Sequence, residues 1–69
     1  MKISARNVIK GRIKNITDGV VNCEITLEVS PGVEIVSIIT KSSRESLGLA
    51  VGKEAVAVIK ASSVMIATD

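Results

Sequence analysis

The chain contains no Phe, Tyr, Trp or His, and only one Cys and one Pro, among 69 residues. Without aromatic rings, which normally supply the largest burial per residue, the core must be wholly aliphatic. Without His, imidazole acid–base chemistry and His metal sites are excluded. A single cysteine rules out an internal disulfide and any Cys-rich zinc site, and Cys23 reads as a small buried hydrophobe. The longest unbroken apolar run, Ala55 to Ile59, is far short of the roughly 20 residues that span a membrane. No signal-peptide pattern opens the chain. A reducing, cytoplasmic setting is the expectation.

What is present bounds the answer further. Residues 1–69 have room for a single domain, and a chain this short buries only about 60% of its unfolded surface. Yet 46% of the residues are hydrophobic. Aliphatic content beyond what one small core can hide predicts an obligate oligomer. The net charge of +2 is too mild for a nucleic-acid footprint.

The stretch Ile3–Ile16 alternates as a long strand. It places Ile3, Ala5, Ile9 and Ile13 on one face and Ser4, Arg6, Lys10, Arg12 and Lys14 on the other, with Gly11 set for a bulge or tight corner. Thr17-Asp18-Gly19 predicts a three-residue hairpin loop with Gly19 left-handed. That register sets Ile9 opposite Leu27, Ile13 opposite Cys23 and Arg12 opposite Glu24. The second strand, Val20–Val29, points Val21, Cys23, Ile25, Leu27 and Val29 inward. Ser30-Pro31-Gly32 is a turn. The third strand, Val33–Thr40, has Ile35 and Ile39 on one face and Val36 and Ile38 on the other, so a second subunit is expected to cover it.

Ser42 and Glu45 form a capping-box pattern for a short helix that Gly48 ends. Strands are expected over Glu54–Lys60 and about Ser62–Ala67. Three strands, a helical turn and two strands are the element order of an all-β, OB-like five-stranded barrel with one short helix between strands 3 and 4.

No carboxylate pair is spaced as a catalytic dyad and no Gly-rich phosphate loop occurs, so no enzyme activity is expected. Three donor groups remain. Ser4 and Arg6 share a face; Thr40, Lys41, Ser42 and Ser43 sit at a strand-to-helix junction; Lys60, Ser62 and Ser63 sit where the fourth strand turns into the fifth. Pockets rich in donors and poor in acceptors suit a fully ionised oxyanion. A phosphate that keeps a proton at neutral pH wants an acceptor that these groups lack. Each donor also has an ordinary reading. Ser42 and Ser43 are a helix cap, Arg6 and Lys60 are solvated strand residues, and Lys10, Arg12 and Lys14 answer Glu24 and Glu28.

The segments Ser4-Ala5-Arg6-Asn7, Leu47-Gly48-Leu49, Gly52-Lys53-Glu54 and Ala57-Val58-Ile59-Lys60-Ala61-Ser62-Ser63-Val64 resemble the molybdopterin-binding-protein (Mop) domain over essentially the whole chain. The resemblance is to the molbindins, of the clostridial single-domain type. It implies an OB-like barrel that binds molybdate or tungstate in the cytoplasm and stores or buffers it, with no covalent cofactor. It also implies a hexamer, a trimer of dimers, with oxyanions between subunits. Carried over by position, Ser4, Ala5 and Arg6 match the first binding segment. Lys60, Ala61 and Ser62 match the second, with Thr40, Lys41 and Ser43 contributed by a neighbouring chain. Arg6 and Lys60 would neutralise charge. The rival readings are a small OB-type nucleic-acid-binding module, which would lack the aromatic stacking platform of single-strand binders, and a purely structural oligomerisation module.

Overall fold

The computed structural model describes all residues, Met1–Asp69. Four strands form one antiparallel sheet in the order β3-β2-β1-β4. They are β1 (Asn7–Asp18), β2 (Asn22–Ser30), β3 (Val33–Thr40) and β4 (Glu54–Ile59), with a helix α1 (Lys41–Leu47) between β3 and β4. The all-β, OB-like class with one short helix is as expected. The strand count is four, not five. Residues 61–63 form a 3-10 turn, and Val64, Met65 and Ile66 run on exposed and unpaired.

The sheet is organised by β1, which changes partner along its length. Asn7–Arg12 pair with β4, and Arg12–Asp18 pair with β2. At the changeover, Gly11 is where the sheet has no room for a side chain. A Cβ there would lie 2.6 Å from the Glu28 carbonyl oxygen and 2.8 Å from Leu27 Cγ. Gly11 therefore serves a close approach between strands, the corner option, and the bulge lies elsewhere. The register slips between Ile13 and Asn15. An extra residue inserted there lets Ile13 and Ile16, three apart, turn to the same side.

That bulge corrects the hairpin. Ile13 faces Leu27 rather than Cys23, and Arg12 faces Glu28 rather than Glu24. The chain reverses at Gly19–Val21, two residues later than expected, with the Gly19 N–H donating to the Asn22 carbonyl at 2.8 Å. Gly19 does not adopt a positive φ. Thr17 and Asp18 stay in the strand, opposite Glu24 and Cys23. The Asp18 carboxylate is held there by Arg44 Nη1 at 2.7 and 2.8 Å. The displaced turn puts Val20 and Val21 in solvent, contrary to the inward position expected for Val21.

Elsewhere local chemistry decides as expected. Pro31 and Gly32 (φ 75°) make the β2–β3 turn, and Gly48 (φ 64°) ends α1. The helix begins two residues earlier than the Ser42 capping box implies. Thr40 is the N-cap, its hydroxyl accepting from the Ser43 N–H at 3.0 Å, because the Lys41 N–H is already drawn to the Val21 carbonyl at 2.9 Å.

Only Ile13, Cys23, Ile25 and Leu27 are fully buried. Exposed aliphatic side chains include Val36, Ile38 (70% exposed), Val64, Met65 and Ile66. The accessible surface is 5430 Å², whereas a compact monomer of 7.2 kDa exposes roughly 4,100 Å². The radius of gyration, 12.7 Å, exceeds the roughly 11 Å of a compact chain this long. An apolar groove between the edge strands β3 and β4, lined among others by Ile35, Ile39, Leu49, Ala55 and Ala57, accounts for part of this openness.

Candidate functional site

The β1–β4 ladder ends at the pair Asn7–Ile59. Beyond it the two backbones part. Ser4, Ala5 and Arg6 run outside the strand; Lys60 is extended and leads into the 3-10 turn Ala61–Ser63, closed by the Ser63 N–H to the Lys60 carbonyl at 2.8 Å. An open cavity of about 570 Å³ lies between them. Ser4, Ala5 and Arg6 form one wall and Lys60, Ala61 and Ser62 the other, with Ile3 and Val58 completing the lining. Six of the nine residues singled out from the sequence thus meet in one place. The first strand begins at Asn7 rather than Ile3, because Ile59 is the last residue of β4 to pair with it.

The cavity is electrostatically one-sided. No carboxylate lines it. The side chains of Ser4, Arg6, Lys60 and Ser62 make no ion pair or hydrogen bond within the chain. Their donors therefore remain available to a bound anion. A guanidinium and an ammonium can neutralise a double negative charge, and two hydroxyls can bond to its oxygens. No group of three or more His, Cys, Asp or Glu side chains is placed to hold a metal cation.

Thr40, Lys41 and Ser43 are somewhere else. They sit at the β3–α1 junction, beside the far end of β1, to which α1 is tied by Arg44 and Asp18. The Thr40 hydroxyl accepts from the Ser43 N–H and donates to Ser43 Oγ at 2.8 Å. Both of its functions are spent on the cap, which leaves the Ser43 proton free to point outward. Lys41 Nζ has no partner. The two clusters stand at opposite ends of β1, and none of Thr40, Lys41 and Ser43 lines the cavity.

One neighbour of the cavity was not singled out from the sequence. The Asn7 amide, half-buried, donates from Nδ2 to the Ile59 carbonyl at 3.2 Å. Its signal was parity: Asn7 shares the face of Ile9 and Ile13, where a polar group needs a partner.

Against known proteins, residues 3–66 match the TOBE domain family. Molybdenum-pterin-binding protein 1 of Clostridium pasteurianum is 47% identical over 66 residues, covering 96% of this chain and 97% of the relative. The solved structure of a molybdate-binding protein from Sporomusa ovata superposes with a TM-score of 0.91 at 34% identity, covering 99% and 100% of the two chains. The cytoplasmic molybdate-binding protein ModG, solved with molybdate bound, superposes with a TM-score of 0.84 at 48% identity, covering 88% of this chain and 43% of ModG.

Proposed function

The chain belongs to the TOBE domain family, among its molybdenum-pterin-binding (Mop) members, and from that premise we propose that it binds molybdate, or the like-sized tungstate, as a fully ionised dianion and performs no chemistry on it. The carrying observation is the cavity in which Arg6 and Lys60 stand without any protein anion to answer them. Ser4 and Ser62 hydroxyls and the backbone N–H groups of the two walls, including that of Ala5 and Ala61, supply further donors. The absence of a carboxylate acceptor disfavours hydrogen phosphate, whose proton would find only weakly accepting hydroxyls.

The sites are completed by a second copy of the chain. The surplus of about 1,300 Å² over a compact monomer exceeds the roughly 800 Å² that one partner contributes to a standard interface. The exposed aliphatic side chains on β3 and in residues 64–66 supply the apolar part of such a contact. Thr40, Lys41 and Ser43, out of reach of the cavity on their own chain, act on an anion shared with a neighbour. The assembly is a hexamer built as a trimer of dimers, and because the anion bridges chains it stabilises that assembly by mass action. The role is storage and buffering of the anion in the cytoplasm, the compartment named for ModG.

Calorimetric titration with molybdate, sulfate, phosphate and a single-stranded oligonucleotide tests this reading. Heat with molybdate and not with the oligonucleotide is expected. Heat with the oligonucleotide alone overturns the proposal in favour of a nucleic-acid module, and no heat at all leaves a structural module. Sedimentation at micromolar concentration is expected to give a mass far above 7.2 kDa.

A further inference from the structure

Both walls of the cavity begin at a single rung. Asn7 and Ile59 are the ladder's last pair, so Arg6 and Lys60 are the first residues free of strand pairing. The Ile13 N–H donates to the Lys53 carbonyl at 2.9 Å, and Ile13–Lys53 lies in the same register as Asn7–Ile59. Bonded and unbonded pairs alternate along an antiparallel ladder, and six residues separate the two, so Asn7–Ile59 is a bonded rung. The Asn7 side chain adds a bond, Nδ2 to the Ile59 carbonyl at 3.2 Å. One residue therefore directs a main-chain and a side-chain donor at the last carbonyl before Lys60. The opposite end of the same ladder is fastened in a similar way, by Arg12 Nη1 on the Gly52 carbonyl at 2.8 Å.

Terminal rungs of a sheet fray first, because they are flanked by pairing on one side only. Fraying here would let the Ser4–Arg6 wall swing independently of the Lys60–Ser62 wall. Donors that close around a tetrahedral anion must hold their separation to within about 0.5 Å before the ligand arrives. We infer that Asn7 is a positioning residue of this cavity: its amide locks the rung from which both walls spring, and so sets the spacing of Arg6 and Lys60 without touching the anion. The inference rests on the oxyanion reading of the cavity.

The test uses the full chain, with Asn7→Ala, Arg6→Ala and the double variant. Asn7→Val, which keeps strand propensity, stands in if Asn7→Ala does not fold. Molybdate affinity is measured by calorimetry and amide exchange by NMR. Loss of Asn7 is expected to weaken binding about tenfold, the scale of one hydrogen bond. Exchange should accelerate at position 7 and at Ile59, the amides that close the terminal rung, while Ile9 and Ala57 keep their protection. The double variant should lose less than the product of the single losses, because Asn7 acts through the wall that carries Arg6. Unchanged affinity, independent multiplication of the two losses, or exchange raised equally along the ladder overturns the role. If the unsubstituted protein gives no heat with molybdate, the oxyanion reading falls and takes this role with it. If it binds and Asn7→Ala binds equally well, only the Asn7 role falls.

Discussion

Between positions 6 and 14 the chain places four basic residues, Arg6, Lys10, Arg12 and Lys14, and they meet two different fates. Over the paired part of β1 each cation is answered. Lys10 lies 3.8 Å from Glu54, Lys14 lies 2.6 Å from Glu34 and 3.7 Å from Glu28, and Arg12 donates to a carbonyl. Past the last rung Arg6 has no strand beside it to carry a carboxylate, and neither has Lys60. The difference lies in neighbours and not in residue type. Where the ladder continues, charge is consumed by the sheet; where it stops, charge is left unanswered.

Substitutions should therefore separate the two regions. The largest effect belongs to the paired region. Ile13→Ala empties a side chain that is 1% exposed, in a core of four, at a cost of about 2–5 kcal/mol. That is comparable with the whole stability expected of a domain this small, so cooperative thermal unfolding should vanish from circular dichroism. A melt like that of the unsubstituted chain would mean the middle of β1 is not what holds the sheet together. Arg6→Ala should do the reverse. The melt is kept, and molybdate affinity falls about 10- to 100-fold, the scale of one charge-assisted hydrogen bond. Full affinity in that variant would erase the distinction drawn between answered and unanswered cations.

The smallest effect sharpens the comparison through pH. The hydrogen bond from Lys14 to Glu34, then the charges of Glu34 and Glu28, raise the Lys14 pKa above its ordinary 10.5. A group whose pKa is higher folded than unfolded lends stability below the unfolded value and loses it as pH climbs through the folded one. Melting temperatures of the unsubstituted chain and Lys14→Met should thus differ slightly at neutral pH and converge well above pH 10.5. The exposure of the pair and its screening by salt keep the gap small. A gap that persisted at high pH would assign the effect to packing of the lysine stem instead.

How much of this could be read in advance varied with how local the cause was. The bounds of β3, the Pro31-Gly32 turn, the Gly48 helix stop and the inward set Cys23, Ile25 and Leu27 depend on residues within a few positions, and all were legible. The β1–β2 register was not, because alternation was carried unbroken through Lys14. Yet Ile13 and Ile16, three apart and both aliphatic, can share a face only across a bulge. The cap moved from Ser42 to Thr40 because a partner twenty residues away, the Val21 carbonyl, claims the Lys41 N–H. Residues 62–67 read as a strand on composition, but a strand also needs an edge to pair with, which sequence pattern does not supply. Of the candidate residues, the segments around Arg6 and Lys60 were brought together although they are more than fifty positions apart. The cluster at Thr40–Ser43, expected to serve from a neighbouring chain, lies outside that cavity on its own chain.

One wall of the cavity starts at Ser4, three residues from Met1, so whatever is joined ahead of Met1 starts close to it. A polyhistidine tag on the amino terminus would bring imidazoles, which titrate close to neutral pH, beside that opening and distort any titration.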